Sequence, residues 1–529
     1  MQPPFSPRSP EPNPSSPSPV PPDAGRKVAI NAIWNVGGAG APLIVAVFSI
    51  PLIIAGLGLD RFGLLALAWT VIGYFGVFDL GLGIATTKFI AEFQQRGRHH
   101  DLHKLLLISG LMHFALGVFG ACLLAALTGW LITVVLNVPP ELRAETQAAF
   151  YILSLSIPII VVTACFRGAL EGLHRFDLVN LIKVPAGIAN YISPLLVLWF
   201  TPDLAVIVTV IAVIRLGVLA SYAWLTLRIV RPGTGTSSTA DRIAPALLRF
   251  SGWLSISNFI APIMVSLDRF LIGAIVSTSA VAYYATPYEV ITKLWILSAG
   301  LLGVLLPVFS ALSVDRAENI RDVLRQAVRI LLAVVAPLIG VALALGGELL
   351  WWWVGDAFRQ QSTVVSRWIA IGMLFNVIAQ VPFTALHGIG RADVTARILC
   401  AELLIYAVFA WFLVNRFGID GIAFAWAARA FFDALLLFAA ANRILPGQPG
   451  GRLAPAPSHM LTLGLFLATL LIVGVTIEEA VLLKFAFVFL ILAGMVFWEW
   501  RCLLTDDERK SVMQLRGQLQ AALFTHKQP

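Results

Sequence analysis

The sequence predicts an all-α, polytopic membrane protein of about fourteen spanning helices, arranged as two six-helix lobes followed by two extra helices. Three observations predict it. Of the 529 residues, 58% are hydrophobic and only 12% are charged, whereas a soluble domain carries about a quarter charged residues. Apolar runs of roughly 18 to 25 residues recur from Ala29 to Leu503, each long enough to cross a hydrocarbon core of about 30 Å. Segments of about ten residues alternating apolar and polar, the mark of a membrane β-barrel, do not occur.

Residues 1–25 hold ten prolines among Ser, Asn and Glu, a composition with too little apolar surface to order itself. They read as a disordered cytoplasmic tail, without the basic-then-apolar order of a cleavable signal peptide. Spans are predicted to start near Ala29, Leu64, Leu105, Ala148, Val179, Leu204, Phe250, Ala282, Ile330, Val364, Ala396, Ile422, Met460 and Ala480. With the N-terminus inside, cytoplasmic segments hold about 27 Lys and Arg and outer loops about 5, so both termini are predicted to be cytoplasmic. The formal charge of +8 is a topology signal on this reading, and no nucleic-acid partner is expected.

The segment from Arg228 to Arg249 contains Pro232, Gly233, Thr234, Gly235 and Thr236, a flexible composition that suits a boundary between halves. The predicted organisation is a lobe over 26–228, a cytoplasmic linker over 229–249, a second lobe over 250–443, two further helices over 444–503 and a tail over 504–529. Leu59-Asp60-Arg61-Phe62 recurs as Leu267-Asp268-Arg269-Phe270, a weak sign of repetition because the two copies stand at different distances from the preceding proline. Trp351, Trp352 and Trp353 read as part of an interfacial aromatic belt. Cys122, Cys165, Cys400 and Cys502 show no metal-like spacing, so neither disulfide nor zinc site is expected.

Charges inside the membrane carry the functional information, because each costs at least about 2.5 kcal/mol at mid-bilayer unless a partner or water receives it. Lys484 and Arg367 lie about one turn inside the outer boundary, close enough for their side chains to reach the headgroups. Arg215 lies near the middle of the sixth span with no acidic residue within a turn. It is expected to meet either a substrate phosphate or acidic sugar, through paired guanidinium hydrogen bonds, or a carboxylate on another helix.

Glu289 and Lys293, and Arg429 and Asp433, are four residues apart and so share a helix face where they neutralise each other. Pro287 disturbs the helix beside the first pair and frees backbone groups for a hydrated cavity. Asp79, in Phe78-Asp79-Leu80-Gly81-Leu82-Gly83, is a candidate coupling-ion carboxylate, with helix packing against a basic residue as the other reading. Asn31 and Asn35, Ser255 and Asn258, and Asn376 and Gln380 place amides that suit sugar hydroxyls or neighbouring helices. His113 reads as a packing histidine. The chain contains no GxxxxGK[ST] nucleotide loop, so energy for uphill transport must come from a gradient, a partner or product removal. No cofactor is expected.

Phe78-Asp79-Leu80-Gly81-Leu82-Gly83 with Thr87-Lys88-Phe89-Ile90-Ala91-Glu92, Asp268-Arg269-Phe270-Leu271-Ile272-Gly273 with Val281-Ala282-Tyr283-Tyr284 and Pro287, and Leu306-Pro307-Val308-Phe309-Ser310 resemble the polysaccharide-exporter branch of the multidrug, oligosaccharidyl-lipid and polysaccharide flippase superfamily. The resemblance implies two lobes around a cavity that opens alternately to each side, lined by the first, second, seventh and eighth helices. It therefore favours Asn31, Asn35, Asp79, Asn258, Asp268, Arg269, Glu289 and Lys293. It also implies an inner-membrane flippase for undecaprenyl-pyrophosphate-linked oligosaccharide, not an enzyme, acting with membrane lipids, a polysaccharide polymerase and chain-length machinery. Substrate contacts are expected at Asn31, Asn35, Arg215, Asn258, Asp268, Arg269, Glu289 and Lys293, and ion coupling at Asp79 and Glu289. A cation-coupled multidrug exporter is the alternative, and the sign of the cavity charge discriminates the two. A membrane glycosyltransferase or polymerase fits less well, because the predicted outer loops are short, about 3 to 15 residues.

Overall fold

The structure is a computed structural model that describes residues 24–74, 79, 81–95, 99–136, 138–230, 266–296, 320–445, 456–477 and 480–506, together with isolated positions between and beyond them. Of residues 24–40 it describes the backbone alone. Among the described residues there is no strand. The helices are α1 (Ala24–Leu57), α2 (Leu59–Tyr74), α3 (Leu82–Gln95), α4 (His99–Trp130), α5 (Arg143–Gly172), α6 (Phe176–Leu198) and α7 (Leu204–Ile229). After them come α8 (266–275), α9 (Thr278–Ile291), α10 (Ile320–Val354), α11 (Asp356–Gly388), α12 (Ala392–Ile444), α13 (Pro457–Thr476) and α14 (Val481–Trp498).

Nine of the described helices are long and apolar enough to cross a membrane. The 53-residue α12 would be about 80 Å long if straight, well over twice a hydrocarbon core. Gly418 breaks it, with φ 58° and ψ −136°, a conformation closed to other residues. One apolar stretch thereby makes two spans without a loop. The helix α1 begins at Ala24, two residues before the expected start of the lobe at 26; residues 1–23 of the tail lie outside those described, as do 231–244 of the linker.

The first group of helices is built on α4 and α7 against α5, α3 against α5, and α1 along α6, and the second on α11 between α10 and α12. The groups meet chiefly where α2 lies against α9. That contact is closest at Gly63, where any Cβ would overlap the carbonyl oxygen of Thr278. The Thr278 hydroxyl donates to Asp60 Oδ1 at 2.8 Å across the same seam. Both residues lie at the membrane face that carries the turns at 58, 276–277 and 355, so the groups are pressed together on that face.

At the opposite face the two groups share a turn that the Leu-Asp-Arg-Phe comparison did not reveal. Gly172-Leu173-His174-Arg175-Phe176-Asp177 follows α5, and Gly388-Ile389-Gly390-Arg391-Ala392-Asp393 follows α11. His174 (φ 57°) and Gly390 (φ 78°) both take the left-handed conformation. The capping bonds match one for one: Leu173, His174 and Arg175 donate to Ala169, Glu171 and Leu170, and Ile389, Gly390 and Arg391 donate to Ala385, His387 and Leu386. In both turns the arginine Nε lies 3.0 Å from the aspartate two residues on. The Leu-Asp-Arg-Phe copies, in contrast, are not equivalent, since Asp60 opens α2 whereas Asp268 lies within α8.

The last two helices dock on the second group. Lys484 of α14 does not reach for the headgroups as expected, but is 2% exposed and bonds Glu348 of α10 at 2.5 Å and the Gly474 carbonyl of α13 at 2.9 Å. Arg367 of α11 donates to the same carbonyl at 2.9 Å and to Leu343. The Gly474 carbonyl lies in the last turn of α13, where intrahelical partners run out, and Glu348 supplies a counter-ion closer than any phosphate. Trp351 and Trp352 are exposed as an aromatic belt requires, while the Trp353 indole turns inward to the Val47 carbonyl of α1.

Two outcomes follow from these contacts. Gly63→Val is expected to separate α2 from α9, lengthening the distance between spin labels at Leu59 and Ser279; an unchanged distance distribution would show that this glycine does not set the seam. Lys484→Met is expected to cost about 3–5 kcal/mol, because it strands Glu348 as a buried charge, and Glu348→Gln in the same chain should restore most of the lost thermal stability in detergent.

Candidate functional site

Consecutive helical residues point about 100° apart, so Asp268 and Arg269 look into different surroundings. Asp268, fully buried, faces the second group, where it accepts from the Tyr284 hydroxyl at 2.6 Å and from the Tyr406 hydroxyl. Arg269 faces the seam. Its Nη1 donates to Thr70 of α2 at 2.7 Å and its Nη2 to Glu289 of α9 at 2.6 Å, so one guanidinium ties the two helix groups together. Its Cζ also lies 5.2 Å from the centre of the Tyr288 ring, within range for a cation–π attraction. Arg269 Nε, although buried, has no partner among the described residues.

Glu289 receives a second cation, Lys293, at 3.0 Å one helical turn further on. Pro287 precedes them within α9, and the chain tightens into a 3-10 turn over Thr292–Leu294 directly after. Pro287 cannot donate a backbone bond there, which loosens the helix at the level of the charges. Glu289 and Lys293 keep partial exposure, whereas Arg269 is nearly enclosed. Tyr191 of α6 lies within the field of all three and packs edge-on against Trp69 of α2, ring centres 5.4 Å apart. The Trp295 indole, beyond the turn, donates to Asn376 of α11 at 2.7 Å. Two cations and one carboxylate leave this cluster with one formal positive charge, in a setting where phosphate oxygens are the matching ligand.

Asp79 stands elsewhere, at the break between α2 and α3. It accepts from the Gly83 amide at 2.9 Å, which caps α3, and its Oδ1 lies 2.7 Å from His113 Nε2 on α4. His113 Nδ1 lies 2.7 Å from the Ser109 carbonyl. Arg215 on α7 makes a 3.4 Å hydrogen bond to Asn190 of α6 and no ion pair among the described residues. Arg429, expected to pair with Asp433, makes its ion pair among the described residues with Glu402 instead, at 4.0 Å on the other half of α12. Asn258 lies outside the described residues, and the side chains of Asn31 and Asn35 are likewise not described.

The arrangement therefore unites Arg269, Glu289 and Lys293 and sets Asp79 and Arg215 apart. The sequence reading missed Thr70, Tyr191 and Tyr406, neutral residues whose importance comes only from the helices they face. Glu402 was missed because its partner stands 27 residues away across the break at Gly418.

A family model described as polysaccharide biosynthesis protein matches residues 25–313. The "Putative O-antigen transporter" of Shigella flexneri is 30% identical over 408 residues, which cover 77% of this chain and 96% of that protein. Among solved structures, "Lipid II flippase MurJ, inward closed conformation" matches with a TM-score of 0.67 at 14% identity, covering 89% of this chain and 99% of that one. An inward-facing multidrug resistance MATE family transporter of the MOP superfamily matches with a TM-score of 0.65 at 15% identity, covering 77% and 98%. The two structural likenesses establish the shared fold. The family match spans more than half of the chain, and with the Shigella relative it makes this protein a member of the polysaccharide biosynthesis protein family.

Proposed function

We propose that this protein is a flippase that carries a lipid-pyrophosphate-linked oligosaccharide across the inner membrane, by alternating access between lobes spanning 26–228 and 250–443. The observation that carries the reading is the Arg269–Glu289–Lys293 cluster, net positive and placed where the two helix groups meet. The kinship with an O-antigen transporter and the fold shared with a lipid II flippase supply the substrate class. The sugar and pyrophosphate pass between the groups while the lipid tail stays in the bilayer. Asn31, Asn35 and Asn258 serve the sugar hydroxyls, and Arg269 and Lys293 the phosphate oxygens. Asp268, held by two tyrosines, fixes the position of Arg269 beside it.

Asp79, beside His113, and Glu289, between two cations, are the carboxylates we assign to ion coupling. Both termini are cytoplasmic on this reading, so the face at which α2 and α9 are pressed together is the outer one. The reading assigns no bond-making step to the chain, and gives it a polysaccharide polymerase and chain-length machinery as partners.

Translocation of a fluorescent lipid-pyrophosphate-linked oligosaccharide in proteoliposomes tests this. The intact protein should flip it, and Arg269→Gln or Lys293→Met should slow flipping about tenfold or more, as expected for losing one charge-assisted hydrogen bond. Glu289→Gln should retain binding but abolish acceleration by a proton or sodium gradient. Gradient-driven efflux of a cationic dye, without any flipping of sugar-lipid, would overturn the proposal.

A further inference from the structure

The matching turns after α5 and α11 provide a register for comparing the two halves residue by residue. Asn190 stands fifteen residues after Arg175, and Tyr406 fifteen after Arg391. Counted from the same turns, Arg215 stands forty residues after Arg175 and Arg429 thirty-eight after Arg391, so the two lie within two residues of each other in this register. The pairs so related also meet in space. Arg215 bonds Asn190 at 3.4 Å, and Arg429 lies over the Tyr406 ring with its Cζ 5.5 Å from the centre. These two arginines thus occupy near-equivalent places, one in each half.

Their counter-ions are not alike. Arg429 has Glu402 at 4.0 Å, and Asp433 four residues on. The corresponding positions in the first half are Ala186, eleven residues after Arg175 as Glu402 is after Arg391, and Leu219, four after Arg215. Neither bears a charge. The first half instead adds a cation, because Lys183, whose counterpart is Leu399, is exposed on α6 and lies seven residues before Asn190 on the same helix face. It stands about 10 Å along the axis from Asn190, toward the face that carries the turn at 172–177.

A guanidinium near mid-membrane with one long bond to a neutral amide among the described residues lacks the carboxylate its counterpart has there. We propose that Arg215, Asn190 and Lys183 form an anion subsite in the first half, whose missing counter-ion is a phosphate oxygen of a prenyl-linked pyrophosphate. Arg215 binds the anion, Asn190 orients the guanidinium, and Lys183 receives the anion on its way from the face nearer the 172–177 turn. The second half carries its own carboxylates and takes no anion at the equivalent place. This assignment rests on the flippase reading for the identity of the anion, but not for the existence of the subsite.

Binding of a short-chain prenyl pyrophosphate to the full-length protein in zwitterionic nanodiscs, with the matching prenyl alcohol as control, tests it by native mass spectrometry or calorimetry. The pyrophosphate should bind and the alcohol should not, and Arg215→Gln should weaken binding about tenfold or more. Ala186→Glu transplants the counter-ion of the second half; it should remove the same share of binding that Arg215→Gln removes while preserving or raising the melting temperature, a result that misfolding does not give. Phosphatidylglycerol in the nanodisc that displaces the ligand from Arg215 would assign the subsite to membrane-lipid phosphate and overturn the substrate assignment. Equal binding by the intact protein, Arg215→Gln and Ala186→Glu would overturn the subsite itself. Arg215-dependent binding without translocation of any sugar-lipid would leave the subsite standing and sink the flippase reading.

Discussion

A hydrocarbon core gives a charge nothing to bond to, so every ionised group within the span must be answered by the protein itself or by what passes through it. This constraint orders the molecule more than any packing rule does. Lys484 is answered by Glu348, which fixes α14 to α10, and Asp268 by two tyrosines, which fixes α8 to α9 and α12. Arg269 is answered from both sides of the seam, by Thr70 and by Glu289. Helix positions that apolar contact alone would leave free to slide are pinned at these points.

Much of this was legible in the sequence. Length and hydropathy of the apolar runs are direct consequences of bilayer thickness, so the all-helical class and the starts of spans such as Val179, Leu204 and Met460 could be read within a few residues of the observed helices. The pairing of Glu289 with Lys293 followed from four-residue spacing on one helix. The sequence left undetermined how one helix rotates against another. Thr70 and Tyr191 carry no pattern that marks them, and Glu402 could not be joined to Arg429 without knowing that Gly418 folds one long stretch back on itself.

The repeat was missed for a related reason. A shared tetrapeptide looked like the signal, but its two copies serve different places, whereas the true correspondence lies in a turn that tolerates His174 in one half and Gly390 in the other. What the halves have in common is a backbone conformation and an Arg-x-Asp bracket. Around Arg215 and Arg429 they differ in the charged side chains nearby, and that is where the two halves part in electrostatic character. A pseudo-symmetric scaffold with unequal charges can present a permanent ion pair on one side and an acceptor for a travelling anion on the other.

The burial of Lys484 against Glu348 also bears on how a fourteen-helix chain relates to shorter ones. Glu348 belongs to α10, among the first twelve spans, yet its counter-ion arrives from the fourteenth. A chain ending after the twelfth span would lack that cation, and the carboxylate of Glu348 would need another group to answer it. A twelve-span arrangement of the same fold would be served by an uncharged side chain at this place, so a single position on α10 records electrostatically that the extra pair of helices is docked there.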